Sequence, residues 1–414
     1  MTIETDLASR WLGGTVMAAS DEAFGDKENL LNPDSPINDP GHYGNRGEVV
    51  DGWETRRRRE AGHDWALIRL GTPGVITSIN VDTSFFTGNF PETCMVEACG
   101  EEGYPSPSEL NAQSNWVEIV PRSALRGNHQ NVFPVSDARR FTHVRLATFP
   151  DGGVARLRIN GRVIPDPRQL DGLSIDLASQ WYGGAVVASS DDFYTSARLL
   201  NRPDRARTMG EGWETRRRRD SGHDFVLFRL AFVGRVRQLI VDTAHFRYNA
   251  TAEITLHGCE ADEPPGVDST AWKPMLDRTR LQPDTYHVFP LAADMAVGSI
   301  RLDAFPDGGI SRVRVIGGVE QAARRRVGYR WLNSLPADQA VVCLVAAGLP
   351  TDRAEGLVGL RPLEETMLDE LRGPARGRAL DGLTTSQLGQ LARLLHGAGG
   401  GSTWQGERSD HRLT

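Results

Sequence analysis

Residues 63–83 read HDWALIRLGTPGVITSINVDT. In the first half, Ala66, Ile68 and Leu70 can face one way while Trp65, Leu67 and Arg69 face the other, which is the period of a β-strand. LGTPG then carries glycine and proline where a chain turns, and GVITSINVDT resumes as a second apolar strand. The pattern continues downstream. CMVEAC, WVEIV, FTHVRLATF and VARLRI are short and apolar-rich, and FTGNFPE and FPDGG separate them as turns. No segment before residue 320 sustains a helical apolar stripe for three turns. Many short strands at near-regular spacing predict an antiparallel sandwich or jelly roll over a parallel α/β sheet.

The whole unit occurs twice. Gly52–Leu70, GWETRRRREAGHDWALIRL, returns as Gly212–Leu230 with 14 of 19 positions identical, and Asp6–Ser20 returns as Asp176–Ser190 with ten of 15. Val81-Asp82-Thr83 recurs as Val241-Asp242-Thr243, and FPDGGVARLRING at Phe149–Gly161 as FPDGGISRVRVIGG at Phe305–Gly318. The offset drops from 170 residues (176 − 6) to 160 (213 − 53) because the first copy has an additional loop around NDPGHYGNR. Two copies of one domain follow, not a short-period solenoid. The expected fold is all-β, with tandem jelly-roll β-sandwiches over residues 1–165 and 166–320. A helical C-terminal extension is expected over 321–395 and a disordered Gly/Ser-rich tail over 396–414. Within the extension, QAARRRVGYR reads as a linker. WLNSLPADQAVVCLVAAGLP and LEETMLDELRG have helical spacing, with a helix start near Pro336 and Asp338.

Composition narrows the function. The 414 residues carry a formal net charge of −7, and acids bracket both four-arginine runs. A nucleic-acid binder is instead basic over a whole face, so no nucleic-acid partner is expected. No stretch has the roughly 18 apolar residues that span a bilayer, and no signal peptide is visible, so no membrane partner is expected. Four cysteines, spaced for neither zinc nor a disulfide framework, predict a reducing, cytoplasmic setting. No P-loop, dinucleotide turn, His-Glu-x-x-His or nucleophile elbow is present. No cofactor is therefore evident, although scattered His and Asp leave a divalent metal open.

The polar residues that recur in both copies are the candidates for chemistry. They are Glu54, Arg56–Arg59, His63, Asp64, Asp82, Thr83, Asn89 and Asp151, with counterparts Glu214, Arg216–Arg219, His223, Asp224, Asp242, Thr243, Asn249 and Asp307. In an extended segment alternate arginines face opposite ways, so each run offers two guanidinium pairs. A planar guanidinium holds a carboxylate through two parallel hydrogen bonds. A lattice of ion pairs with Glu54, Glu60 and Asp64 is the structural alternative. His63 and His223 are proton carriers by type, or loop histidines bonded to their neighbours. Asp151 and Asp307 sit in Pro-Asp-Gly-Gly, which is also ordinary turn chemistry. Trp53 and Trp213 read as core.

GWETRRRR followed by GHDW, then VDTSFFTGN, then FPDGGVARLRING, in two tandem copies over residues 6–318, resembles the allantoicase family. The resemblance implies tandem sandwiches of the galactose-binding, jelly-roll kind. It also implies hydrolysis of allantoate to ureidoglycolate and urea in purine (allantoin) degradation. Allantoate is an anion rich in N–H donors, which suits arginine together with Glu, Asp or Asn. The implied substrate-binding set is Glu54, Arg57, Asp64, Asn89 and Asp151 with Glu214, Arg217, Asp224, Asn249 and Asp307. The catalytic candidates are His63 and His223 as general acids and Asp82 and Asp242 as carboxylates that steer water. His245 joins them because Thr243-Ala244-His245-Phe246 is closer to the family's Thr-x-His-Phe than Thr83-Ser84-Phe85-Phe86 is. The partner is thus a small molecule, with room for a homo-oligomer. The rival reading is a non-catalytic tandem module that binds a small anion or sugar. The C-terminal stretch from Leu332 also resembles the opening helices of small helical decarboxylases of purine breakdown, without their catalytic histidine and glutamate.

Overall fold

The structure, a computed structural model, describes residues 4–45, 47–112, 115–292, 294–370 and 382–397. From residue 398 onward the expected tail lies outside the described residues. Each repeat is built around one 19-residue strand, Asp64–Asp82 in the first and Asp224–Asp242 in the second. The strand has two halves with different partners. Residues 64–69 lie against Arg140–Phe149, and residues 74–82 lie against Arg156–Val163, with the register broken between them. The order in the first repeat is Thr5–Asp6, Arg156–Val163, Asp64–Asp82, Arg140–Phe149, Thr93–Cys99 and Val117–Ala124, and the second repeat has the same order. Thr15–Ala19 and Gln130–Pro134 flank the two halves of the long strand. The two halves thereby build the two layers of a sandwich.

LGTPG is therefore not a turn between two strands, as its composition suggests, but a kink inside one. The register passes from His143↔Arg69 to Phe141↔Gly74. Gly74 is required there, since a Cβ would lie 2.3 Å from the Arg162 carbonyl oxygen, and Gly234 faces Gly318 in the same way at 2.7 Å. The expected alternation holds for Ala66, Ile68 and Leu70, which are buried in the sandwich core. Leu67 on the opposite face is buried too, because the short helix α1 (Pro107–Ala112) places Leu110 over it. Trp53 and Trp213 are fully buried in their respective cores, and each indole donates to a loop carbonyl, at Asp21 and Asp191.

After the second sandwich come five helices among the described residues: α2 (Gln321–Ser334), α3 (Ala337–Ala346), α4 (Thr351–Gly359), α5 (Met367–Glu370) and α6 (Thr385–His396). QAARRRVGYR, which its charge makes look like a linker, is most of α2. Two of its four arginines, Arg324 and Arg325, make hydrogen bonds through their side chains. Arg324 is buried, with Nε 2.7 Å from Asp171 Oδ1 and its Nη atoms on the carbonyls of Leu394 and Leu395 at the end of α6. Trp331, Leu344, Leu357 and Leu391 form a third core that takes in Val75 and Ile164 of the first sandwich, whereas Ala323 and Val327 join the core of the second. Helix α2 thus ties both repeats to the extension.

Candidate functional site

The two ends of the long strand return to one loop. Asp64 pairs with Thr148 and Asp82 with Arg156, so residues 149–155 connect them; Asp224, Asp242, Ala304 and Arg312 repeat the arrangement. GWET lies along that loop, with Trp53–Glu54 paired to Gly153–Val154 and Trp213–Glu214 to Gly309–Ile310. Thr55 and Thr215 lock it by accepting from the amides of Gly152 and Gly308. Asp151 and Asp307 accept from the backbone amides of Arg58 and Arg218 at 2.6 and 3.0 Å. The PDGG aspartate thus both makes the turn and anchors the arginine run.

The runs split by alternation, as extended backbone predicts. Arg58 donates through Nε and Nη2 to Asp64 Oδ1 at 3.1 and 2.8 Å, and Arg218 Nη1 donates to Asp224 Oδ1 at 2.6 Å. Asp64 and Asp224 are each 1% exposed and also accept from Ser20 and Ser190. Arg56 and Arg216 pair with Asp21 and Asp191, the residues directly after the repeated Ser20 and Ser190. Arg57, Arg59, Arg217 and Arg219 are exposed and have no hydrogen-bond or ion-pair partner among the described residues. Of the acids expected to form the lattice, Asp64 does so, while Glu54 turns to Asn89. Asn89 Nδ2 donates to Glu54 Oε1 at 2.7 Å and Asn249 Nδ2 to Glu214 Oε1 at 2.7 Å. Burial raises the Glu54 carboxyl above the usual range, a shift that the Asn89 hydrogen bond opposes.

Asp82 and Asp242 are 4% and 1% exposed. Each uses Oδ1 to accept from the amide two residues on, Ser84 or Ala244, and Asp242 Oδ2 also accepts from Arg205 Nε. Thr83 and Thr243 hydroxyls donate to the carbonyls of Arg126 and Gln282. Phe85 and His245 follow in left-handed conformation, with φ of 69° and 72°, and each donates its backbone N–H to a side-chain oxygen, of Asn128 or Asp284. His245 Nε2 lies 3.0 Å from the Ala206 carbonyl, which only accepts, so that nitrogen carries the proton.

The histidines differ. The exposed His63 leans on the Phe149 ring at 4.8 Å. His223 leans on Phe305 at 4.5 Å and has Nε2 3.2 Å from Asp303 Oδ1 and 3.3 Å from Arg301 Nη2. Asp303 also accepts from Arg301 Nε at 2.7 Å and Thr255 Oγ1 at 2.9 Å, with His257 Nδ1 3.4 Å away. Burial pushes the Asp303 carboxyl up, but His257, Arg301 and Thr255 outweigh it and hold it down at about 2. Nε2 of His223 can donate to Asp303 or accept from Arg301, not both, so the two neighbours compete for that nitrogen. Repeat comparison could not find this cluster, because Ala147 and Glu97 occupy the equivalent positions in the first copy.

Among the described residues no group of three or more His, Cys, Asp or Glu side chains is arranged to hold a metal ion, and no helix is long and apolar enough to cross a membrane. The five principal cavities lie elsewhere than the repeated polar set; one of them sits between the two sandwiches and α2. Within the repeated set Arg57, Arg59, Arg217 and Arg219 are open to solvent, while the aspartates at both ends of the long strand are buried.

Comparison with known proteins agrees with this architecture. The allantoicase repeat model matches residues 5–164 and again 175–320. A probable allantoicase of Nocardia farcinica is 48% identical over 314 residues, covering 75% of this chain and 93% of the relative. One from Streptomyces coelicolor is 45% identical over 340 residues, covering 78% and 88%. The crystal structure of allantoicase from Saccharomyces cerevisiae superposes with a TM-score of 0.66 at 34% identity, over 76% of this chain and 93% of that one. With two matched repeats and relatives of this identity, the chain belongs to the allantoicase family, hydrolases that convert allantoate and water to ureidoglycolate and urea.

Proposed function

We propose that hydrolysis takes place at the loop end of the sandwiches, on the surface formed by the arginine run, the Glu–Asn pair and the histidine. The observation that carries this reading is the Asn-to-Glu hydrogen bond, 2.7 Å in both repeats, beside a fixed arginine run with two arginines left unpaired among the described residues. Arg57 and Arg217 hold the substrate carboxylate as planar forks. Glu54 with Asn89, and Glu214 with Asn249, face the ureido groups. Water attacks the central carbon, its proton passes to Glu54 or Glu214, the C–N bond breaks, and His63 or His223 protonates the departing urea nitrogen.

Asp64, Asp151, Asp224 and Asp307 act one step back in this reading, since their oxygens already hold Arg58, Arg218 or the run's backbone. Asp82 and Asp242 are likewise assigned to fixing the following turn, and His245 to holding the Ala206 loop, in place of the roles in proton transfer and water steering that sequence suggests. The scheme calls on no metal, and chelation should leave urea release intact. Four buried free cysteines support a reducing, cytoplasmic setting.

The test is hydrolysis in heavy-oxygen water. The label should enter the hydroxyl of ureidoglycolate, and label in urea would refute attack at the central carbon. Arg217→Ala together with Arg57→Ala should raise KM for allantoate at least tenfold, and an unchanged KM would remove the run from substrate binding.

A further inference from the structure

The cleft between the two sandwiches and α2 has a volume of about 390 Å³ and belongs to neither repeat's polar set. Arg162 enters it from the end of strand Arg156–Val163, and Arg326 and Arg330 enter from α2. None of these three arginines has a hydrogen bond or ion pair to any described residue. Two acids also line the cleft. Glu263 is engaged 3.2 Å from a fourth arginine, Arg229, which leaves Asp262 to face three cations. The floor is apolar, with Val163, Phe232 and Val327.

The guanidinium groups bring positive charge together at one place. Arg326 and Arg330 stand one turn apart on the same helix face, a spacing at which like charges repel. Partial burial, followed by the charges of Arg162 and Arg326, holds Arg330 below the ordinary arginine range, while Asp262 and Glu365 act weakly in the other direction. Convergence of guanidinium groups from separate elements over an apolar floor is the arrangement that binds multivalent oxyanions. Arg162 also falls outside the internal repeat, since Gly318 occupies its place in the second copy, and Arg326 and Arg330 lie beyond the residues that match the family model.

We infer that this cleft is a binding site for a compact anion carrying at least two negative charges, a polycarboxylate or a phosphate compound, separate from the hydrolytic surface. The ligand bridges the first sandwich and α2, so its binding ties the extension to the body.

The test is calorimetric titration of the full chain with pyrophosphate and, separately, with citrate, each against sodium chloride at matched ionic strength. One saturable site per chain for either probe is expected, and the preferred probe distinguishes phosphate from carboxylate chemistry. Arg326→Gln with Arg330→Gln, and independently Arg162→Gln, should each weaken that binding at least tenfold while urea release from allantoate stays as in the parent. Arg162 lies on a sandwich strand, so its variant keeps the test decisive should the helix variant fail to fold. Absence of saturable binding with both probes, or equal binding by Arg162→Gln, would overturn the assignment. Retained urea release in these variants separates that failure from any failure of the hydrolytic reading.

Discussion

The two sandwiches share a backbone and a motif, yet they hold their histidines differently. In the first, His63 is exposed against Phe149, with Ala147 and Glu97 on the neighbouring strands. In the second, His223 meets a carboxylate, Asp303, that three further side chains surround. Duplication preserved the arginine run and the Glu–Asn pair, which we propose bind the substrate, while the surroundings of the histidine diverged. Under the proposed function, identity between copies marks binding and loop structure, and the asymmetry marks the chemistry.

The largest effect that would break this comparison is on turnover. His223→Gln should lower kcat for urea release about a hundredfold, the usual scale for losing a positioned acid or base, whereas His63→Gln should cost less than about threefold. Equal losses would make the repeats equivalent. Asp303→Asn follows, with kcat reduced about tenfold, because His223 loses the carboxylate 3.2 Å from its Nε2 that positions the ring. The same substitution also sharpens a stability prediction. The Asp303 carboxyl is lowered in the folded chain to about 2 from 3.8, so its stabilisation is complete above about pH 4 and is lost as pH falls through 2. That shift is worth about 2 kcal/mol. Urea unfolding of parent and Asp303→Asn should therefore differ most at pH 6–7 and converge near pH 2, and a constant gap would show that the charge is not the cause.

A smaller and symmetrical effect is expected where the copies agree. Asp64→Asn and Asp224→Asn each leave a partly buried arginine with a weaker partner, and each should cost about 1–3 kcal/mol of stability. A marked difference between them would show that the shared frame is less alike than its hydrogen bonds.

Much of this was legible in the sequence. Period-2 patterning and the two-fold recurrence gave the sandwiches, and alternation along the arginine run anticipated that Arg56 and Arg58 would point one way and Arg57 and Arg59 the other, without saying which pair turns inward. The failures have physical causes. LGTPG looks like a turn because glycine and proline serve kinks as well as turns, and only the pairing of Arg140–Phe149 with both sides of it distinguishes the two. QAARRRVGYR looks like a linker because charge usually means solvent, but Arg324 is buried on the C-terminal carbonyls of α6, a contact about 70 residues away in the chain. Asp21 and Asp191 were within reach, since each follows the repeated serine directly. Asp303 and His257 were not, since a search for what two copies share discards what one of them gained.

The most direct test of the central claim is steady-state urea release from allantoate by His63→Gln and His223→Gln, measured side by side with folding checked on both. The account predicts that His63→Gln keeps at least about a third of the parent kcat while His223→Gln falls about a hundredfold. Full activity in His223→Gln, or the larger loss in His63→Gln, would contradict it.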